Sequence, residues 1–210
     1  MMVMAKVALN RELIARTALT LTDPDGLAGL SMRKLGSRLG VEAMSLYHYV
    51  DSKADLLDAM LEILFSEIQL AVDVPEHDWE TALRRGLKSF HDVMVSYRGA
   101  WELFATRPAT GEHALRVLKW SVSRLMVVGL DEKQANLALN TATSFVIGHV
   151  ATEVGLMSIS RSEEGRAELE AAETPTSEFM KVPRDIMPEE MFQTGLDILV
   201  AGLRVQYHLP

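Results

Sequence analysis

The chain is 210 residues long, 48% apolar and 24% charged, with no cysteine and a formal net charge of −8. This apolar content excludes global disorder, and the length suits one domain or a small domain joined to a larger one. Without cysteine there is neither a disulfide framework nor a thiolate metal site, and an acidic chain does not coat nucleic acid with its whole surface.

Residues 1–10 hold one lysine and no long apolar core, so no secretory signal is expected and a cytoplasmic location is. Seven prolines punctuate long proline-free stretches, and no period-two run is bounded by hairpin turns. The pattern predicts an all-α chain. Asn10 should cap a first helix reaching Thr22, with Leu13, Ile14, Thr17, Ala18 and Leu21 inward and Pro24-Asp25-Gly26 as its stop. Ser31 should cap a short second helix that breaks at Gly40-Val41. A third runs from Glu42 or Ala43 to Val50. Ser52, with Asp55 at the third helical position, should cap a long fourth helix to about Val72, roughly 30 Å at 1.5 Å per residue.

Beyond Pro75 the helices lengthen. Asp78 caps one that carries Trp79, Leu83, Leu87, Phe90, Met94 and Tyr97. A short helix over 101–105 ends at Arg107-Pro108, and another spans about 110–128. Asp131 caps a helix whose residues 134–152 are uncharged but hold too many amides, hydroxyls and a histidine for a membrane span. It reads as buried against protein on most sides. Residues 158–188 are acidic and proline-containing and predict a mobile loop with at most a short helix. A last amphipathic helix covers 189–207.

Charge is uneven. Residues 161–190 carry nine acids and four bases, whereas residues 31–53 carry four bases and two acids. A local basic patch binds phosphate even on an acidic protein. In that basic stretch two short helices flank a glycine turn, the helix-turn-helix layout, whose second helix enters a major groove. Leu35, Leu39, Val41, Leu46 and Val50 would hold the pair together. Ala43, Met44, Ser45 and His48 face outward. Ala43 and Met44 suit thymine methyls, Ser45 donates or accepts, and Arg33 matches guanine O6 and N7. Tyr47, Tyr49 and Lys53 reach phosphates, and Ser31 at the helix start is grouped with these contacts. Taken one by one, Tyr47 also reads as a packing residue and Lys53 as a solvated charge.

The wording Leu30-Ser31-Met32-Arg33-Lys34-Leu35-Gly36, then Leu39-Gly40-Val41, Leu46-Tyr47-His48-Tyr49-Val50, Ser52-Lys53 and Leu56-Leu57 closely resembles the DNA-binding domain of the tetracycline-repressor (TetR) family. Weaker matches continue at Trp79, Lys88-Ser89-Phe90, Thr106-Arg107-Pro108, Glu173-Thr174-Pro175-Thr176, Gly195-Leu196 and Gly202-Leu203, which look like the tetracycline repressor's own type of C-terminal domain. The resemblance implies a helix-turn-helix domain over 1–52 and a larger helical ligand-binding and dimerisation domain over 53–210, joined by the fourth helix. It implies a homodimer on a palindromic double-stranded DNA operator, released by a small-molecule effector, with no membrane partner. Repression is the family habit.

A dimer face can also be read from the residues. Gly195 and Gly202 stand seven apart with Leu199 between them, and the uncharged helix offers Ala138 and Ala142. Intramolecular packing of the same faces is the alternative. The effector pocket should draw on Leu64, Ile68, Phe90, Met94, Leu103, Phe104, Thr106, Leu118, Val122, Phe145, His149 and Glu153, which suits a largely apolar ligand. Repressors of tetracycline bind it as a magnesium chelate through a histidine just before the Thr-Arg-Pro element. The matching position here is Leu103, which cannot ligate magnesium. Other polar drug contacts are replaced by Gln69, Gly86 and Lys119, while Phe90 and Glu153 survive.

His149 and Glu153 sit at i, i+4, but two ligands do not make a metal site, so no metal and no cofactor is expected. An enzyme is the rival class. The chain lacks G-x-G-x-x-G, a P-loop, H-E-x-x-H and a di-iron Glu-x-x-His pair. The other rival is a helical small-molecule-binding or protein-interaction protein that leaves DNA alone.

Overall fold

The computed structural model describes residues 8–23, 26–161 and 188–210, and no strand occurs among them. The expected stop at Pro24-Asp25 and the Glu173–Thr176 match lie outside the described residues. Among the described residues nine α-helices follow in order: α1 (Arg11–Thr22), α2 (Met32–Leu39), α3 (Ala43–Leu46), α4 (Lys53–Glu67), α5 (Trp79–Ser96), α6 (Leu103–Thr106), α7 (Glu112–Val127), α8 (Glu132–Arg161) and α9 (Pro188–Tyr207). They form two compact units. The first is Met1–Ile68 with Asp92–Lys119, and the second is Gln69–His91 with Trp120–Pro210.

In the first unit each early helix starts at the side chain that satisfies its first free N–H groups. Asn10 accepts from the Leu13 N–H at 2.8 Å, Ser31 from Lys34 at 3.2 Å and Ser52 from Asp55 at 3.1 Å. α1 packs against α4 and α2 and buries Ile14, Ala15, Ala18, Leu19 and Thr22. Its inward stripe is therefore turned from the predicted one, and Leu13, Thr17 and Leu21 are half-buried at its edges. The small Ala15 and Ala18 at the centre let two neighbours approach at once. Asp55 ties the starts of α1 and α4 together. Arg11 grips it with two bonds of 2.5 and 2.6 Å, and it also accepts from the Asp51 N–H at 2.9 Å. That guanidinium holds the Asp55 carboxyl below the usual aspartate range.

α4 is shorter than predicted. It stops at Glu67, about 22 Å from its start, because Ile68 turns extended at ψ 121°. Outside groups then hold the next residues off the helical path. The Ser89 hydroxyl accepts from the Gln69 N–H at 2.7 Å, and Arg124 donates to the carbonyls of Val74 and Pro75.

In the second unit Asp131 and Gln134 cap α8 reciprocally, at 2.8 and 2.9 Å. Polar residues of the uncharged stretch are satisfied on their own helix. Asn136, Asn140, Thr141 and Thr152 each donate to the carbonyl four residues back. α8 is not covered on most sides. Ala135, Ala138, Leu139, Ala142, Val146, Val150 and Glu153 are buried, whereas Leu137, Asn140, Thr141, Ser144 and Gly148 are exposed. It also runs to Arg161, into the predicted loop, and α9 begins one residue early, at Pro188, where a residue lacking an N–H suits the first turn. Residues 162–187 lie outside the described residues. α9 buries Phe192, Leu196, Val200 and Leu203 and packs on α8.

Candidate functional site

The geometry of the head begins with two glycines. Gly40 ends α2 in the left-handed region, at φ +70°, and its N–H reaches the carbonyls of Gly36 and Ser37. A Cβ on Gly36 would stand 2.8 Å from the Val41 carbonyl oxygen, so the chain closes against α2 only because no side chain is there. Leu35, Leu46 and Val50 seal the joint, all at most 1% exposed, while Leu39 and Val41 are half-buried.

α3 is a single turn, and the predicted continuation to Val50 is a set of turns. The N–H groups of Tyr49 and Val50 both reach the Leu46 carbonyl. Burying Val50 and starting α4 at Ser52 requires the chain to bend there. The bend leaves Met44 74% exposed and Tyr47 and Tyr49 each 41% exposed, with Arg33 and His48 also in solvent. Ala43 and Ser45 are half-buried. Two predicted contacts have local duties as well. The Ser31 oxygen caps α2, and the Lys53 ammonium donates to the Leu30 carbonyl at 2.8 Å.

The predicted pocket residues divide between the units. Leu64, Ile68, Met94, Leu103, Phe104, Thr106 and Leu118 belong to the first, and Phe90, Val122, Phe145, His149 and Glu153 to the second. In the first, Phe65 meets Phe104 edge to face with ring centres 5.1 Å apart, and Leu64, Met94 and Leu103 are fully buried. Thr106 is exposed, and its hydroxyl donates to the Glu102 carbonyl at 2.7 Å. In the second, Glu153 meets a residue that the sequence reading passed over. His91 on α5 places Nε2 2.9 Å from Glu153 Oε2, and His149 places its own Nε2 at 3.7 Å from the same oxygen. Phe192 lies tilted against both imidazoles, with ring centres 4.4 and 5.3 Å away. Burial, together with the nearby His91, holds His149 below the ordinary histidine range, against the pull of Glu153 and Glu189. The signal for His91 was the His149–Glu153 pair itself, a buried polar face needing a partner, but nothing local names a residue 62 positions away.

A groove of about 590 Å³ runs along α8 and α9, lined by Ala138, Thr141, Phe145, Gly195, Ile198, Leu199, Gly202 and Leu203 among others. Ala138 lines this groove although only 2% exposed, while Ala142 is fully buried within the chain. Ile198, 70% exposed, lines the groove, and Leu137 on α8 and Val205 on α9 are further exposed apolar residues. Gly195 admits the Phe145 ring where a Cβ would collide with it, and Gly202 opens to empty space.

Residues 14–60 match the family profile described as "Bacterial regulatory proteins, tetR family", and residues 73–207 match "Tetracyclin repressor-like, C-terminal domain". Tetracycline repressor protein class C of Escherichia coli is 30% identical over 202 residues, which cover 93% of this chain and 90% of that one. An HTH-type transcriptional regulator of Saccharopolyspora erythraea is 32% identical over 148 residues, 70% of this chain and 62% of that regulator's length. A crystal structure described as a possible TetR family transcriptional regulator from Streptomyces coelicolor A3(2) superposes with a TM-score of 0.76 at 26% identity, over 93% of this chain and 99% of that one. No helix among the described residues is long and apolar enough to cross a membrane. The chain therefore belongs to the TetR family of bacterial regulatory proteins, DNA-binding regulators rather than enzymes, which typically bind DNA and ligands as dimers.

Proposed function

We propose that this chain is a ligand-responsive transcriptional repressor that binds a palindromic operator as a homodimer and is released by a small, largely apolar effector. The observation that carries the reading is the glycine-closed turn between α2 and α3, which leaves Arg33, Met44, Tyr47, His48 and Tyr49 in solvent. Arg33 reads guanine, Ala43 and Met44 meet thymine methyls, and Ser45 and His48 complete the base-facing surface. Tyr47, Tyr49 and Lys53 hold phosphates, and Ser31, accepting with its oxygen, keeps its O–H for another.

Release has a physical route inside the first unit. Lys53 bonds to Leu30, and Asp55 is clamped by Arg11, so the start of α4 is fastened to the head. Its other end packs on α6 through Phe65 and Phe104. An effector that displaces α6 tilts α4, and the head moves with it. Two recognition helices must sit about 34–36 Å apart to meet successive major-groove faces, so a shift of a few ångströms spoils the fit. A coupling of about 1–3 kcal/mol changes affinity roughly 5–150-fold. Dimerisation uses the exposed α8–α9 face, with Gly195, Leu199 and Gly202 allowing close packing and Leu137 and Ile198 adding apolar surface.

A gel shift with DNA from upstream of the chain's own gene tests the reading. Binding should weaken steeply as salt rises, because phosphate contacts release counterions. An absent or salt-insensitive shift favours a helical ligand-binding or interaction protein instead. Magnesium–tetracycline should leave the complex intact, since the fully buried Leu103 offers the ion no ligand. Release at micromolar drug would overturn that assignment of the pocket.

A further inference from the structure

His91 on α5 and His149 and Glu153 on α8 present three donor atoms that all lie within 4.8 Å of one another. Their side chains are 6%, 9% and 9% exposed. His149 Nε2 is buried and has no hydrogen-bond partner. It stands 3.7 Å from Glu153 Oε2, too far for a hydrogen bond, while His91 Nε2 is 2.9 Å from the same oxygen. A buried ring nitrogen left unsatisfied beside a carboxylate needs a partner, and a cation shared with that carboxylate would supply it.

We propose that His91, His149 and Glu153 form a binding site for a divalent first-row transition ion, with zinc as its simplest occupant. Two imidazoles and one carboxylate are the ligand set that zinc takes with one position left open, and imidazoles disfavour magnesium and calcium. Donors at about 2.0–2.1 Å from a tetrahedral ion stand about 3.3 Å apart. The observed 2.9 and 3.7 Å separations bracket that spacing, and the third lies within 4.8 Å. The Phe192 ring covers both imidazoles. His149 and Glu153 are also assigned to the effector pocket. The open position then takes an oxygen donor of an otherwise apolar effector, a step that rests on the function proposed above.

The full-length chain, stripped with a chelator and titrated with zinc alone, tests the site. One zinc per chain should survive desalting and raise the thermal midpoint. Cobalt in its place should give the visible bands of a tetrahedral ion. His149→Ala and the near-isosteric Glu153→Gln should each weaken binding by about 100-fold. A wild-type chain that retains no zinc overturns the proposal without any variant. So does retention unchanged in both variants, which would assign the metal to the exposed His48, His77, His113 or His208. A gel shift on the same preparation separates the two readings. Operator binding without metal removes only this site, and metal without operator binding removes only the regulator.

Discussion

In the α2–α3 head, polar and aromatic side chains stand in solvent around a turn closed by glycine. In the second unit the arrangement is inverted: His91, His149 and Glu153 are turned inward, while Leu137, Ile198 and Val205 lie outside. The head needs only local order, since residues within about twenty positions of one another complete it. The second unit's features are completed by distant elements, and its exposed apolar face suits a second copy. An exposed functional surface tolerates loss of a side chain without loss of fold; a buried cluster does not separate the two so cleanly.

The largest effect expected from breaking this contrast is at Arg33 and Tyr47. The double variant Arg33→Ala with Tyr47→Ala should abolish the operator shift while sedimentation and helical circular dichroism stay unchanged; loss of helicity would place these side chains in the core. Next is Gly202→Arg, which projects a guanidinium into the open space on the α8–α9 face. Sedimentation should then report monomers, and an unchanged dimer would move the interface elsewhere. Gly36→Ala is smaller. Its Cβ would lie 2.8 Å from backbone oxygen, and such overpacking costs about 1–3 kcal/mol, readable in urea unfolding. Unchanged stability would mean that the turn yields.

The smallest effect sharpens the fastening of α4. Asp55 is held below its ordinary pKa first by the Arg11 hydrogen bond. Its ionised form therefore stabilises the fold fully above the unfolded value of about 3.9, and that stability is lost as pH falls through the lower folded value. Asp55→Asn should remove this acid-side slope and cost under about 1 kcal/mol at neutral pH, because the pair is partly exposed. An equal slope in the variant would assign the acid sensitivity to other carboxylates.

Much of the chain was legible because the signals are local. Asn10, Ser31, Ser52 and Asp131 cap the helices that their side chains announce, and Gly40 sits where the left-handed turn requires it. The order of helices and the basic head follow from such spacing, and the family resemblance from the run of residues between Leu30 and Leu57. Three features were not legible. α4 ends at Glu67 although the apolar pattern continues, because Ser89 and Arg124 claim the backbone beyond it. α8 is half-bare because α9 covers only part of it, which no periodicity states. His91 joins Glu153 across 62 residues.

The sequence by itself determined where helices begin, which glycine permits the turn and which side chains face away from the head's core. Capping and backbone freedom act over three or four residues, so they are written in order along the chain. Tertiary structure alone decided where α4 stops, which face of α8 is left bare and which histidine meets Glu153. Those outcomes depend on hydrogen bonds and packing between residues far apart in sequence, whose partners exist only once the chain has folded.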